Sequence, residues 1–358
     1  MPGLEKITIK GFKSIKVLED FELRPLNVFI GANGAGKSNF ISVFTLLNQI
    51  VDKNLQTYVG KSGGPDTFLH YGRKVTESIF IKLWFADNGY ECTLIPTLDD
   101  LMIFKNETVY FQGGGHPAPY SELLGATHKE TLLYSKDRVA KYVRNAMKSW
   151  KVYHFHDTSE TAAAKQLQKI DDNMFFRPDA ANIATFLYLL KEKHESHYEN
   201  IVNTIRLMAP FFDDFILRPN PLNPEMIKLE WKEVGSDKYF NGHALSDGTL
   251  RFICLATLLL QPDPPETIIL DEPELGLHPY AIRVLAELFN SVSTKSQLVV
   301  ATQSVTLVNQ LTPDDIVIVE REDGQSVFKR PNKEEISEWL DDYGLGDLWE
   351  KNIIGGRP

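Results

Sequence analysis

Residues 29–40 read FIGANGAGKSNF, and no other stretch limits the fold as much. Before the glycines, PLNVFI (residues 25–30) has the branched and aromatic character of a buried strand. After them, ISVFTLLNQIV (residues 41–51) repeats its apolar residues every three or four positions, as a helix does. Between the two, Gly31, four further residues, Gly36, Lys37 and Ser38 complete the pattern G-x-x-x-x-G-K-[ST]. Such glycines let backbone N–H groups close around phosphate oxygens, and a helix starting near Lys37 aims its positive end at them. The spacing sends Lys37 to the outer phosphates and Ser38 to a Mg²⁺ ion. Ordinary residue usage produces these four fixed residues in only about 1% of chains this long. The strand before and the helix after make a mere glycine turn rarer still.

Composition sets the outer bounds. A chain of 358 residues can hold more than one packed lobe. Its net charge of -10 disfavours indiscriminate binding to a phosphate backbone, though a local basic patch remains compatible with it. Cys92 and Cys254 are the only cysteines, each in an apolar run, which fits a reducing, cytoplasmic setting. The charged, alternating start MPGLEKITIKGFKSIK is unlike a signal peptide. The run FICLATLLL (residues 252–260) is about half a membrane span, so no membrane segment is expected.

Three more stretches follow the glycine loop. ETIILDEP (residues 266–273) is a second buried strand ending in two carboxylates. Asp271 at its end suits a Mg²⁺-water partner, and Glu272, facing the other way, suits a base or water-orienting group. In ALSDGTLRF (residues 244–252), Ser246 and Gly248 make a turn at the start of an apolar helix, a place for anion donors. LVVATQS (residues 298–304) is a strand with a polar tip at Thr302, Gln303 and Ser304.

That order resembles the ATP-binding-cassette superfamily, and within it the branch containing RecF, SMC and the overcoming-lysogenization-defect ATPases. GANGAGKSN with Asn33 and Asn39 is similar to the P-loop of that branch, and GFKSI (residues 11–15) to its first-strand motif. LSDGT corresponds to the signature motif, LDEPELGLHP to Walker B and the D-loop, and Gln303 stands at the switch-histidine position. The middle stretch WKVYHFHDTS…FRPDAANIATFLYLL and the tail WLDDYGLGDLWEKNIIGGRP look like small stand-alone ATPases of this branch, several of which sit beside nuclease or anti-phage genes. The resemblance implies ATP and Mg²⁺ as cofactors. It implies nucleotide contacts from Asn33, Gly34, Gly36, Lys37, Ser38, Asn39, Ser246 and Gly248, metal contacts from Ser38 and Asp271, and catalytic roles for Glu272 and Gln303. It further implies a head-to-tail, ATP-dependent homodimer or higher assembly that regulates a nuclease-like effector in anti-phage defence or DNA repair. Two alternatives are a RecF-like DNA-binding repair ATPase without effector and the ATPase subunit of a membrane transporter. The chain departs from the pattern at Asp247, where a transporter cassette has glycine, and at Gln303, which cannot take up a proton near neutral pH. No glutamine stands in TFLHYGRK (residues 67–74), the expected Q-loop, so slow turnover is expected. No Toprim-like acidic motif follows residue 310, so no nuclease activity is assigned to the chain itself.

The expected fold is α/β: an ABC-ATPase head with an N-terminal β-rich lobe, a parallel-sheet C-terminal lobe and a helical insertion. Residues 1–100 form the first lobe, with strands in EKITIKGF, DFELRPLNVFI, SIFIKLWF and YECTLIP. Residues 101–240 are mostly helical, after a strand pair in MIFKNETVYFQ and a loop in GGGHPAP, and include one helical region from ANIATFLYLL to MAPFF. Residues 241–330 alternate strand and helix, and 331–358 are an acidic helical tail. Without sustained heptads, no long coiled coil is expected. The H-x-H-D spacing of His154, His156 and Asp157 reads as structural, because nothing completes a metal site. His278 reads as a shaper of the D-loop turn. Arg138, Lys141, Arg144, Lys148 and Lys151 recur at steps of three and four, a basic stripe on one helix face. A solvated face explains it, and so does a contact with nucleic acid or an acidic partner.

Overall fold

The computed structural model describes residues 3–113 and 119–357. Most of the expected GGGHPAP loop therefore lies outside the described residues. Along the chain, β1 (Lys6–Phe12), β2 (Ile15–Glu22) and β3 (Leu26–Ile30) precede α1 (Lys37–Val51) and α2 (Leu55–Lys61). Then come β4 (Ile79–Phe85), β5 (Asn88–Pro96), β6 (Met102–Phe111), β7 (Tyr120–His128), α3 (Arg138–Ser149) and β8 (Trp150–Tyr153). The middle holds β9 (Gln168–Lys169), α4 (Ile183–Lys193), α5 (Glu195–Met208), β10 (Phe212–Phe215), β11 (Pro219–Asn220), β12 (Asn223–Ile227), β13 (Glu230–Glu233) and β14 (Tyr239–Asn241). The chain continues with α6 (Asp247–Leu260), β15 (Thr267–Asp271), α7 (Pro279–Val292), β16 (Gln297–Thr302), α8 (Val305–Val308), β17 (Ile316–Glu322), β18 (Gln325–Lys329), α9 (Lys333–Leu340) and α10 (Leu345–Glu350).

The central sheet runs β18-β17-β3-β16-β15-β8, parallel throughout except for the β17–β18 hairpin. Its strands are apolar on both faces, as a sheet covered on both sides requires. Val28, Ile268, Leu270, Leu298, Val300, Ile316 and Ile318 join one core cluster with α4–α7. Their neighbours Phe29, Ile269, Val299, Ala301, Val317 and Val319 join a second, with α1, α3 and the first antiparallel sheet. The period-2 alternation of a strand thus divides the interior into two layers. The first sheet has the order β2-β1-β4-β5-β6-β7 and is antiparallel. No helix among the described residues is long and apolar enough to cross a membrane. The longest described helix has 15 residues, which leaves no coiled-coil arm there.

Several local expectations change. DFELRPLNVFI is two strands in different sheets: Leu23, Arg24 and Pro25 separate β2 from β3, and Pro25 has no N–H to continue a ladder. MIFKNETVYF is one ten-residue strand rather than a pair, and β6 and β7 extend the first sheet beyond residue 100. β8, from the middle of the chain, forms the edge of the central sheet. Its Trp150 is buried against Phe44 and Phe85 on the α1 side, whereas Tyr153 faces the other core. The long middle helix is broken at His194 into α4 and α5. The acidic tail is not merely solvated: Leu345, Leu348 and Trp349 are buried, and Gly356 N–H donates to Glu320 Oε1 at 2.8 Å.

Candidate nucleotide-binding site

β3, β15 and β16 lie side by side and parallel, so their C-terminal ends bring three distant sequence segments to one sheet edge. After β3 the backbone turns at Gly31 and Gly36. A Cβ on Gly31 would sit 2.2 Å from the Val319 carbonyl oxygen. Gly36 has φ +120°, and a Cβ there would sit 2.0 Å from Ser326 Oγ. Both positions are closed to any side chain, which keeps the loop small enough to leave its N–H groups free to converge. Gly36 caps α1 without a side chain, and no acid occupies the first turn. The positive end of the helix is therefore left for an anion.

Lys37 is buried and folds back onto the loop, with Nζ donating to the Gly31 carbonyl at 2.5 Å and the Ala32 carbonyl at 3.1 Å. Burial lowers its pKa, and the nearby carboxylates Glu272, Asp271 and Glu274 raise it. Ser38 Oγ donates to Asp271 Oδ1 at 3.4 Å. Burial raises the Asp271 pKa, with the Ser38 bond opposing it. Asn33 and Gly34 are exposed at the loop tip, and Ser38 is exposed in the first turn of α1. Asn39 turns inward, Nδ2 donating to Ser14 Oγ at 2.7 Å, and Ser14 Oγ lies 2.7 Å from Ser326 Oγ. The GFKSI strand end thus buttresses the loop through a hydroxyl.

Glu272 has φ +45°, an unusual conformation for a residue with a side chain, and its N–H is held by the Ala301 carbonyl at 2.8 Å. Its carboxylate accepts from Gln303 Nε2. The residues expected to act on the γ-phosphate therefore touch each other across β15 and β16. Fixed strain of this kind is found where a side chain must be aimed.

Ser246 and Gly248 are placed elsewhere. α1 and α6 pack in different core clusters, which lie on opposite faces of the central sheet. Ser246 is the N-cap of α6, its Oγ accepting from Thr249 N–H at 3.2 Å. Asp247 adds negative charge to that first turn. Gly248 lies tight against the turn after β15, where a Cβ would meet the Gly276 carbonyl oxygen at 2.4 Å. Beside Ser246, Phe211, Trp231, Phe240, Leu245 and Thr249 line a cleft of about 310 Å³.

Of the weaker candidates, His156 Nε2 bonds the Asp271 carbonyl at 2.8 Å, and Asp157 Oδ1 accepts from Ser159 Oγ at 2.7 Å. Among the described residues no group of three His, Cys, Asp or Glu could hold a metal. His278 caps α7, its Nδ1 accepting from Tyr280 N–H at 3.3 Å. In the expected Q-loop region, Arg73 is engaged by Asp66 and Asp100. The basic stripe is shorter than its spacing implies: α3 ends at Ser149, so Lys151 belongs to β8. Arg144 and Lys148 both lie over the Tyr134 ring, while Arg138 and Lys141 are exposed.

Three residues carry structure that the motifs did not reveal. Arg251 is buried and donates to the Phe155 carbonyl at 2.9 Å and to the Leu275 carbonyl, tying α6 to the segment after β8 and to the turn after β15. Ser326 reaches the loop from β18, almost 300 residues away, with no sequence signal. Glu274 is visible as the third acid in DEPE, but only its burial distinguishes it.

Residues 3–200 match the family model described as "AAA ATPase domain", and residues 117–309 the one described as "AAA domain, putative AbiEii toxin, Type IV TA system". Over 126 residues the chain is 32% identical to a "Putative ABC transporter ATP-binding protein" of Methanosarcina acetivorans, covering 32% of this chain and 45% of the relative. Over 155 residues it is 26% identical to "Phosphate import ATP-binding protein PstB 1" of Vibrio parahaemolyticus, covering 41% and 54%. The chain spans about half the length of the curated relatives it matches. Its fold is that of an Smc head. It is similar to the SmcHead solved with the C-winged helix domain of ScpA, with a TM-score of 0.56, 18% identity and coverage of 92% of this chain and 98% of that one. The Smc head with an extended coiled coil, bound to the C-terminal domain of ScpA from Pyrococcus furiosus, gives a TM-score of 0.55 at 16% identity, covering 96% and 99%.

Proposed function

The chain belongs to the AAA ATPase domain family, and we propose that it is an ATP-hydrolysing switch that dimerises head to tail to regulate a partner effector. The observation that carries this is the convergence of Lys37, the Ser38–Asp271 pair and the Glu272–Gln303 pair at one sheet edge. The residues fit both cofactors: a cradle that a Cβ would fill, a lysine held on loop carbonyls, and a hydroxyl beside a carboxylate. When bound, ATP supplies the γ-phosphoryl group and Mg²⁺ the charge neutralisation its transfer needs. Lys37 exchanges the Gly31 and Ala32 carbonyls for phosphate oxygens. Ser38 and Asp271 would hold the metal, Glu272 would orient the attacking water and accept charge, and the Gln303 amide would aim the Glu272 carboxylate.

On this reading one protomer holds half a site: α6, which starts at Ser246, packs in a different core cluster from α1, which follows the glycine loop. Pairing two copies head to tail completes two sites at once, and bound nucleotide then favours the dimer. The toxin–antitoxin description of one matching family supports an effector in defence. A nuclease-like protein is the kind of partner proposed, and co-purification of the native complex identifies it. The transporter reading is weaker, since the Methanosarcina and Vibrio relatives match 32% and 41% of this chain.

The decisive experiment is Glu272→Gln. The variant should bind ATP with Mg²⁺ yet release phosphate about a hundredfold more slowly or worse, and light scattering should show it trapped as a dimer. Wild-type phosphate release by this variant removes Glu272 from its role.

A further inference from the structure

Glu274 follows the two β15 carboxylates and has no part in the roles above. Its side chain is only 8% exposed. One oxygen, Oε1, accepts two hydrogen bonds from the tip of β16, one from Thr302 Oγ1 and one from the Gln303 N–H at 3.2 Å. Thr302 Oγ1 also accepts from the Ser304 N–H at 3.0 Å. Gln303 Nε2 in turn donates to Glu272. The other oxygen, Oε2, is buried without a hydrogen-bond partner. Burying a carboxyl with one oxygen unsatisfied is costly, and a glutamine, methionine or leucine of similar volume would remove the burden of charge.

We propose that Glu274 is a positioning residue for hydrolysis: its Oε1 clamps the backbone at residues 302–304 and so aims the Gln303 amide at Glu272. The proposal rests on the ATPase reading above, in which Glu272 and Gln303 act on the γ-phosphate. Gln303 is only partly buried and has three side-chain torsions. Its aim therefore depends on where its backbone is held, and Glu274 with Thr302 holds it from the far side of the strand end. A single oxygen takes both bonds, so a neutral amide oxygen at the same place can do the same work. The role requires an acceptor there, not a charge.

Glu274→Ala, Glu274→Gln and Thr302→Val in the full chain test this by three measurements: phosphate release, calorimetric ATP–Mg²⁺ affinity, and hydrogen exchange of peptides covering residues 299–307 without nucleotide. Glu274→Ala should lower kcat about a hundredfold while ATP affinity stays within about threefold, and exchange at the 303 and 304 amides should speed up. Glu274→Gln should restore both kcat and protection to within about threefold of wild type, and Thr302→Val should fall between. Glu274→Gln as slow as Glu274→Ala overturns the proposal, because charge rather than an acceptor is then needed. Unchanged exchange in Glu274→Ala, or a loss of ATP affinity in step with kcat, overturns it too. Wild-type protein that binds ATP but never releases phosphate defeats the ATPase reading instead, and exchange then decides the clamp alone. Should Glu274→Ala fail to fold, Thr302→Val, slowed and less protected, and Glu274→Gln, near wild type, still give distinct expected results.

Discussion

Lys37 and Glu274 show how burial and charge act on single side chains. The ammonium of Lys37 is the strong point charge in a loop otherwise made of neutral N–H groups, and it is held ready on two loop carbonyls. Lys37→Ala should weaken ATP binding by at least about ten- to a hundredfold, the worth of a hydrogen bond to a charged group. Isothermal titration measures this, and unchanged affinity would mean that the loop is not the phosphate site. Glu274 makes a separate prediction about pH. Burial raises its folded-state pKa and outweighs the bonds from Thr302 and Gln303, which lower it. A raised carboxyl pKa contributes stability below the unfolded value of about 4.3, and that contribution is lost as pH rises through the folded value. Glu274→Gln cannot ionise, so its Tm should exceed that of wild type near pH 8, and the difference should shrink on acidification. A difference that grows toward acid pH would contradict the burial argument.

Among the elements, α3 has the most marked division of labour. Ala140, Val143, Ala146 and Met147 are buried in the second core, while Arg138, Lys141 and Lys148 face outward. Asp137, just before the stripe, caps the helix, its Oδ1 accepting from Ala140 N–H at 2.8 Å. No ion pair among the described residues engages the four basic residues of α3. Tyr134 covers Arg144 and Lys148, which gives the stripe a partly apolar backing. If the helix contacts nucleic acid, reversing Arg144 and Lys148 to Glu should weaken binding and flatten its dependence on salt, since fewer counterions are released. A gel-shift series at rising salt measures both. Wild-type protein that binds neither DNA nor RNA at low salt leaves α3 as a solvated face or a protein dock.

For the whole molecule, the separation of Ser246 from the glycine loop is the property that matters most. Replacing Ser246 with Arg alters none of the side chains on the glycine loop or at Asp271 and Glu272, since Ser246 Oγ bonds Thr249 within the first turn of α6. It removes the N-cap of α6, a cost of about 1 kcal/mol, and places a bulky cation where a partner's phosphates would arrive. Ser246→Arg should therefore bind ATP like wild type, hydrolyse it at under about a tenth of the rate, and stay monomeric by light scattering with ATP–Mg²⁺. Full activity in this variant would remove the two-protomer site.

The chain order of motifs carried much of this in advance. Local patterns suffice for a glycine loop between strand and helix, for a strand ending in Asp271 and Glu272, and for a Ser246 cap, because each is made by residues close in sequence. The fold class and family followed from that order. Contacts between distant residues were illegible. Ser326 bracing the loop, β8 joining the central sheet from the middle of the chain, and β6–β7 extending the first sheet all depend on pairing partners far away in sequence. The same holds for the stripe that lost Lys151 at the end of α3, for Arg251 tying α6 to the turn after β15, and for Glu274. Its neighbours in sequence mark it only as one acid among three, and its partners Thr302 and Gln303 reach it only once β15 and β16 lie side by side.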